Sequence, residues 1–418
     1  MNNEQCTIFA QTERSSQIHL DDAEVQPKIT QKRSGCVMNN VQWRKVKLGE
    51  VVVPLKGKLT EQSDCFHDDW KSLINTTAID GESKTWANPI NAVLCEPDDV
   101  LMLWDGERSG LVITGKQGVV GSTFARLRPN HELDGKYLYF FLLNNFEWIQ
   151  NRRTGTGVPH APKDLMRIFQ ISYPESLPAQ RRIAAILASA DKVIAATQKT
   201  IAKYKQIKQG MMEDLLNEQC TMNNVQWRKV KLGECCESEL GKTLDEGRNT
   251  GLYRPYLCAL NVLWGKIDRS TIKRMRIEDS ELERYLVKKG DLLVCEGGEI
   301  GRCAIWDYDD VIYYQNALHR VRFYDGYDAR FFMYLLCHYN DLKLIEQYGK
   351  GLTIKHLNQT AFRNIPVCVP DLAAQRRIAT ILSGIDAKIA AEEKVLEKYE
   401  KVKKGLMEKL LDEKCEIV

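Results

Sequence analysis

Residues 178–217 read PAQRRIAAILASADKVIAATQKTIAKYKQIKQGMMEDLLN, and residues 373–412 read AAQRRIATILSGIDAKIAAEEKVLEKYEKVKKGLMEKLLD, a constant offset of 195 without a gap. Self-similarity of this length sets the architecture before any single motif is weighed. Apolar residues fall at Ile183, Leu187, Ala190, Ile194, Ile201 and Tyr204, and again at Ile378, Leu382, Ile385, Ile389, Leu396 and Tyr399. Steps of three and four predict two long helices facing each other along a coiled-coil seam. Ser176 with Pro178, and Asp371, supply start signals, because a short oxygen-bearing side chain caps orphan amides and proline suits the first turn. At ~1.5 Å per residue, 36–40 helical residues make rods roughly 55–60 Å long. Gly210 and Gly405 mark a kink or break near each rod's end.

A second repeat precedes each rod. Met38–Glu50 reads MNNVQWRKVKLGE, identical to Met222–Glu234, and its loose alternation suits a short entering strand. Gly57 and Gly241 follow at matching places. Gly241-Lys242-Thr243 fails as a phosphate loop, since the required first glycine would be residue 236, a cysteine. Between the repeats lie blocks 51–175 and 235–370, alike in layout: strands and glycine turns, an aromatic helix, a small basic glycine loop, and an extended segment into the rod. The fold class that follows is α+β, two similar domains joined by two long coiled-coil helices in an internal repeat. The expected divisions are an N-terminal segment 1–37, a first domain 38–176, a central helix 177–221, a second domain 222–370 and a C-terminal helix 371–418. Asn3-Glu-Gln-Cys-Thr7 recurs as Asn217-Glu-Gln-Cys-Thr221, so residues 1–37 are expected to pack near the repeat ends.

Composition leaves function open. The 418 residues carry a net charge of only +3, so any nucleic-acid contact must rest on local patches. Thirteen cysteines contain no Cys-x-x-Cys, and Cys65-Phe-His67-Asp68 lacks a second ligand pair, so no metal site is expected. Reduced thiols and the lack of an apolar leader point to the cytoplasm, and Leu138–Leu143 is too short to span a membrane. No cofactor loop for methyl transfer, Asn-Pro-Pro-aromatic tetrad or complete phosphate loop is present, which favours a chain without catalysis.

The duplicated Gln180–Leu187 and Gln375–Leu382 stretches, the entering WRKVKLGE and the Gly290-Asp-Leu-Leu293 strand resemble the specificity (S) subunit of type I restriction-modification systems over residues 38–418. The resemblance implies that each domain is a target-recognition domain reading half of a bipartite double-stranded DNA site in a bacterium or archaeon, with the two long helices packed as an antiparallel coiled coil that relates the domains by a pseudo-twofold axis and sets the unread spacer. It also implies methyltransferase (M) subunits that bring S-adenosylmethionine and flip the target adenine, and restriction (R) subunits that bring ATP and Mg. No cofactor is expected on this chain, and exchanging residues 51–175 should change one half-site only. Two alternatives stay open: a self-sufficient DNA methyltransferase or nuclease, and a DNA-binding coiled-coil protein without enzyme partners.

DNA-contact candidates come from side-chain chemistry. Glycine-flanked basic loops let a backbone approach phosphate, which nominates Thr154, Thr156, His160 and Lys163, and Lys350, Thr353, Lys355 and His356. Guanidinium and amide groups match guanine and adenine edges, which nominates Arg126, Arg128, Arg302, Gln315, Asn316, His319 and Arg320. Alternation along 318–323 means that some of these face away from a groove. Tyr137–Leu142 and Phe331–Leu336 read as core, and Trp43 and Trp227, alike in both halves, as domain anchors rather than sequence readers.

Overall fold

The computed structural model describes residues 41–81, 83–155, 157–217, 226–245, 247–351 and 355–412. The expectations for residues 1–37, Thr156 and Thr353 lie outside them. Each domain is closed by its own ends. Trp43–Lys47 pairs antiparallel with Gln170–Pro174, the segment that feeds the central rod. Arg228–Lys231 pairs in the same way with Pro366–Val369 before the second rod. The shared Leu-Gly-Glu forms one helical turn in which the Glu50 or Glu234 carboxylate accepts the Lys47 or Lys231 amide at 3.1 Å.

Behind that closure both domains build the same four-stranded antiparallel sheet. Its order is Val52–Lys56, Phe124–Pro129, Val100–Leu103, Val112–Ile113 in the first, and Cys236–Leu240, Leu318–Phe323, Leu292–Cys295, Cys303–Ile305 in the second. The aromatic helices Gly135–Asn144 and Ala329–Asp341 cover these sheets, burying Tyr137, Leu138 and Leu142, and Phe331, Phe332, Leu335 and Leu336. Trp43 and Trp227 pack against the same two cores. The domains part company in their second sheets. The first domain strings five strands in the order Gln62–Ser63, Trp86–Ala87, Lys71–Ile74, Gly118–Val120, Leu94–Cys95. The second has four, in the order Lys273–Ile277, Leu252–Leu257, Ile312–Tyr314, Leu286–Val287. Gly57 and Gly241 sit where the two sheets meet; a Cβ there would lie 2.2 Å from the Gly121 carbonyl oxygen or 2.4 Å from that of Tyr314.

The rods are the unbroken helices Leu177–Leu215 and Leu372–Leu410, 39 residues and about 58 Å each. Both run through Gly210 and Gly405 without the expected break, because a single interior glycine costs only ~1 kcal/mol against a whole helix held at both ends. Asp371 caps its helix by accepting the Ala374 amide at 2.8 Å, whereas Ser176 has cap-like backbone angles but no side-chain cap bond.

The rods are antiparallel, and the expected seam is divided among three clusters. Ile183 and Leu187 enter the first domain's core together with Met407 and Leu411 from the far end of the other helix. Ile378 and Leu382 enter the second core together with Met212 and Leu215. Only Ile201, Ile385 and Ile389, flanked by Tyr204 and Leu396, form a helix–helix cluster of their own. Ala190 and Ile194 are half-buried and Tyr399 is exposed, so one apolar stripe serves domain and partner helix in turn rather than a continuous seam. Lys208 pairs with Asp386 at 2.7 Å and Lys403 with Asp191 at 2.5 Å, two bridges related by the 195-residue offset and hence by the pseudo-twofold axis. Among the described residues no helix is long and apolar enough to cross a membrane.

Candidate nucleic-acid interface

In each domain the strand Val100–Leu103 or Leu292–Cys295 ends in a carboxylate that holds a glycine loop. His160 Nδ1 lies 2.7 Å from Asp105 Oδ1, and His356 Nδ1 lies 2.9 Å from Glu296 Oε2. The loops close by paired backbone bonds: Thr154 with His160 at 3.1 and 2.8 Å, Lys350 with His356 at 2.9 and 2.8 Å. Gly155 and Gly351 have φ of 108° and 121°, left-handed values that an L side chain rarely adopts. Backbone bonds fasten the loop to the strand end, Ala161 to the Trp104 carbonyl at 2.8 Å and Leu357 to that of Glu296 at 2.6 Å. Two unlike sequences thus make one construction: a loop closed by paired backbone bonds and clamped at its base by an imidazole–carboxylate contact.

Around these loops the candidates separate by what their polar groups already do. Lys163 and Lys350 are exposed, and neither forms an ion pair among the described residues. Lys355 is exposed and reaches Glu346 at 3.1 Å, a surface pair that water and salt weaken. Thr154 is exposed, its backbone closing the hairpin. Gln315 and Asn316 follow the strand Ile312–Tyr314, held by backbone bonds to Leu257 and Lys242 at 3.0 Å, with half-buried side-chain amides that bond no described residue. These side chains can still meet a ligand.

Five other candidates are committed to the fold, which corrects the sequence-based expectation. Arg128 makes a two-pronged bond to Asp99 at 2.7 and 2.6 Å. Arg126 donates to the Leu94 carbonyl at 2.6 Å, tying the first domain's sheets together. Arg320, buried, donates to Glu239, Arg284 and Leu286 at 2.7–2.8 Å. Arg302 spans Glu299 at 3.1 Å and the Ala259 carbonyl at 2.8 Å. His319 is fully buried, stacked on Phe362, and its Nε2–H donates to the Leu357 carbonyl at 2.6 Å. Burial lowers the His319 pKa and keeps the ring neutral. Burial also pushes the Asp99 carboxyl up, but the bonds from Arg128 and the Glu96 amide outweigh it and hold the net value below the usual range. Arg322 and Asp291 repeat the Arg128–Asp99 fork at 2.8 and 2.9 Å, a joint common to both domains.

Two residues that the sequence analysis passed over stand beside the first loop. Arg152 lies 3.9 Å from the Trp148 ring centre, and Arg153 donates to the Glu107 and Gln150 carbonyls. Both are exposed, and neither pairs with a described carboxylate. Their signal was adjacency, two arginines directly before Thr154-Gly-Thr-Gly157. His67 stacks on Trp70 at 4.4 Å, and among the described residues no cluster of three or more metal-ligating side chains is placed to hold an ion.

The chain and its fold have known relatives. The chain is 27% identical over 399 residues to the type I restriction enzyme MjaVIII specificity subunit of Methanocaldococcus jannaschii, covering 90% of this chain and 93% of that one. It is 25% identical over 313 residues, 71% of this chain and 72% of the other, to the putative MjaX specificity subunit of the same organism. In fold it resembles the type I restriction-modification S subunit from M. genitalium, with a TM-score of 0.61, 16% identity and coverage of 90% and 97%. It also resembles a chain solved in a study of complex assembly and conformational transition of the type I R-M system, with a TM-score of 0.54, 16% identity and coverage of 89% and 98%. The family model described as type I restriction modification DNA specificity domain matches residues 40–206 and again 224–401. With most of its length in two such domains, the chain belongs to the type I restriction-modification DNA specificity family.

Proposed function

We propose that this chain is the non-catalytic DNA-reading subunit of a type I restriction-modification complex, acting in the cytoplasm, each domain reading one half of a bipartite site. The observation that carries the reading is the doubled clamped loop, Thr154–His160 and Lys350–His356, on two modules related by an approximate twofold axis. Modules so related face a duplex in opposite senses, and rods of fixed length allow them to engage only half-sites at a fixed separation. The clamped loops bring Thr154, Lys163, Lys350 and Lys355 to phosphate, while Gln315 and Asn316 offer amides to base edges. Arg152 and Arg153 extend the basic rim of the first loop.

Catalysis belongs in this reading to partner subunits. Methyltransferase subunits that carry S-adenosylmethionine dock on the rods, and restriction subunits supply ATP- and Mg-dependent cleavage. The test is methylome sequencing of a host expressing this chain with its cognate methyltransferase subunit, against a host lacking this chain. A single new bipartite adenine-methylation motif with a fixed gap is the expected result. A stable complex that creates no new motif would refute the reading.

A further inference from the structure

In both domains a strand of the second sheet passes directly into a central strand of the first: Gly118–Val120 into Phe124–Pro129, and Ile312–Tyr314 into Leu318–Phe323. Each passage is one tight turn, Gly121-Ser-Thr-Phe124 or Gln315-Asn-Ala-Leu318. The Phe124 amide closes the first on the Gly121 carbonyl and the Leu318 amide closes the second on the Gln315 carbonyl, both at 3.0 Å.

Matching backbone bonds hold the two turns in one place. The Gly121 or Gln315 amide donates to the Ile74 or Leu257 carbonyl of the neighbouring parallel strand at 2.9 or 3.0 Å. On the other side the Thr123 or Ala317 carbonyl accepts the amide of Trp104 or Glu296 at 2.8 or 2.9 Å. The Trp104 and Glu296 carbonyls in turn accept the Ala161 and Leu357 amides, directly after the clamp histidines. Turn, strand end and clamped loop are thus three successive rungs, and at ~4.8 Å per rung the turn stands about 10 Å from the loop in each domain.

The backbone is constant here and the side chains are not. Ser122 and Thr123 stand where Asn316 and Ala317 stand, and Gly121 where Gln315 does. Gly121 has no room for a side chain, since a Cβ would lie 2.7 Å from the Ile74 carbonyl oxygen, so the first turn offers only its two middle residues. Both are half-buried, and their hydroxyls bond no described residue. Further along the same strand Arg126 and Arg128 are committed inside the fold. A turn needed only to join two sheets would use its backbone alone. Hydroxyls beside a loop that rests on phosphate lie within the span of a major groove, ~12 Å wide, where serine and threonine contact base edges.

We propose that the turn Gly121–Phe124 is a base-reading element of the first domain, in which Ser122 and Thr123 set the half-site as the counterpart of Gln315 and Asn316 in the second. The inference rests on the DNA-reading function of the clamped loops. It is tested by methylome sequencing of hosts expressing the chain with its cognate methyltransferase subunit, wild type against S122N/T123A. These substitutions give the first turn side chains that the same backbone already carries at Asn316 and Ala317. Methylation of the original first half-site should fall about tenfold against sequences altered at one or two of its base pairs, with the second half-site and the gap unchanged. If the variant complex assembles yet methylates nothing, its binding to a duplex of the wild-type motif decides: affinity reduced to that for unrelated DNA supports the proposal, and retained affinity overturns it. An unaltered first half-site, a change in both halves, or failure to assemble, which would assign the turn to the fold, also overturns it and leaves the DNA-reading function standing. A wild-type complex that methylates no bipartite motif would overturn that function itself.

Discussion

Gln180 and Gln375 are the buried polar residues on which each rod is hung. Gln180 donates to the Glu132 and Pro174 carbonyls at 2.9 and 2.8 Å and accepts the Asp134 amide at 2.7 Å. Gln375 accepts the Asp328 amide and donates to the Pro370 carbonyl, both at 2.9 Å. Asp134 and Asp328 in turn cap the aromatic helices, so one amide fixes the angle between rod and domain. Gln180→Ala should cost about 2–3 kcal/mol in chemical denaturation, because it strands several buried groups, whereas exposed Arg182→Ala should stay within ~0.5 kcal/mol. A second residue-scale outcome concerns acid. Because burial depresses the His319 pKa below its ordinary 6.5, the unfolded chain takes up a proton that the folded one refuses. The stability this group contributes is complete well above pH ~6.5 and declines below it, by at most on the order of 1 kcal/mol per pH unit. Asp99 acts in the same sense only near and below its ordinary 3.8. His319→Gln, whose amide can replace the donor to Leu357, should therefore flatten the loss of unfolding free energy between pH 7.5 and 5.5. At this scale the sequence was least legible. Alternation says that neighbours point apart, but not which of Arg126, Arg128, Arg320 or Arg322 finds a buried partner. A usable signal existed in the repeat, since Asp99 with Arg128 and Asp291 with Arg322 recur at matching places, as Trp43 and Trp227 do.

Among the elements, the rods were the most legible, because forty residues of apolar periodicity repeated twice leave no competing reading. Their internal division was hidden, since a stripe facing a domain and a stripe facing a helix have the same period. The small strands were hidden for another reason. Pairs such as Gln62–Ser63 and Leu94–Cys95 are too short to show alternation and exist only because neighbouring strands hold them. The rods also carry a measurable consequence. One heptad inserted at equivalent places in both helices adds ~10 Å, and with the domains carried apart the methylated motif should gain up to about three unread base pairs at ~3.4 Å each. Both half-sites should read as before in methylome sequencing; an unchanged gap would mean that something other than the rods sets the separation.

Across the whole molecule, the internal repeat made the two-domain architecture and its approximate axis legible, while the difference between the second sheets was not. The constant parts recur at 184 or 195 residues because they build joints, and joints must fit the same rods. The second sheets diverge between the halves, so comparing one half with the other cannot locate the recognition surfaces within them. The twofold relation has a last consequence for what the duplex can register. A bipartite site read by dyad-related modules has a complementary strand in which the same two halves occur in reversed order. If the two domains traded places along the polypeptide, each with its own joints, the new molecule would meet the identical duplex, merely turned end for end. The order in which this chain presents its domains is therefore invisible to the DNA.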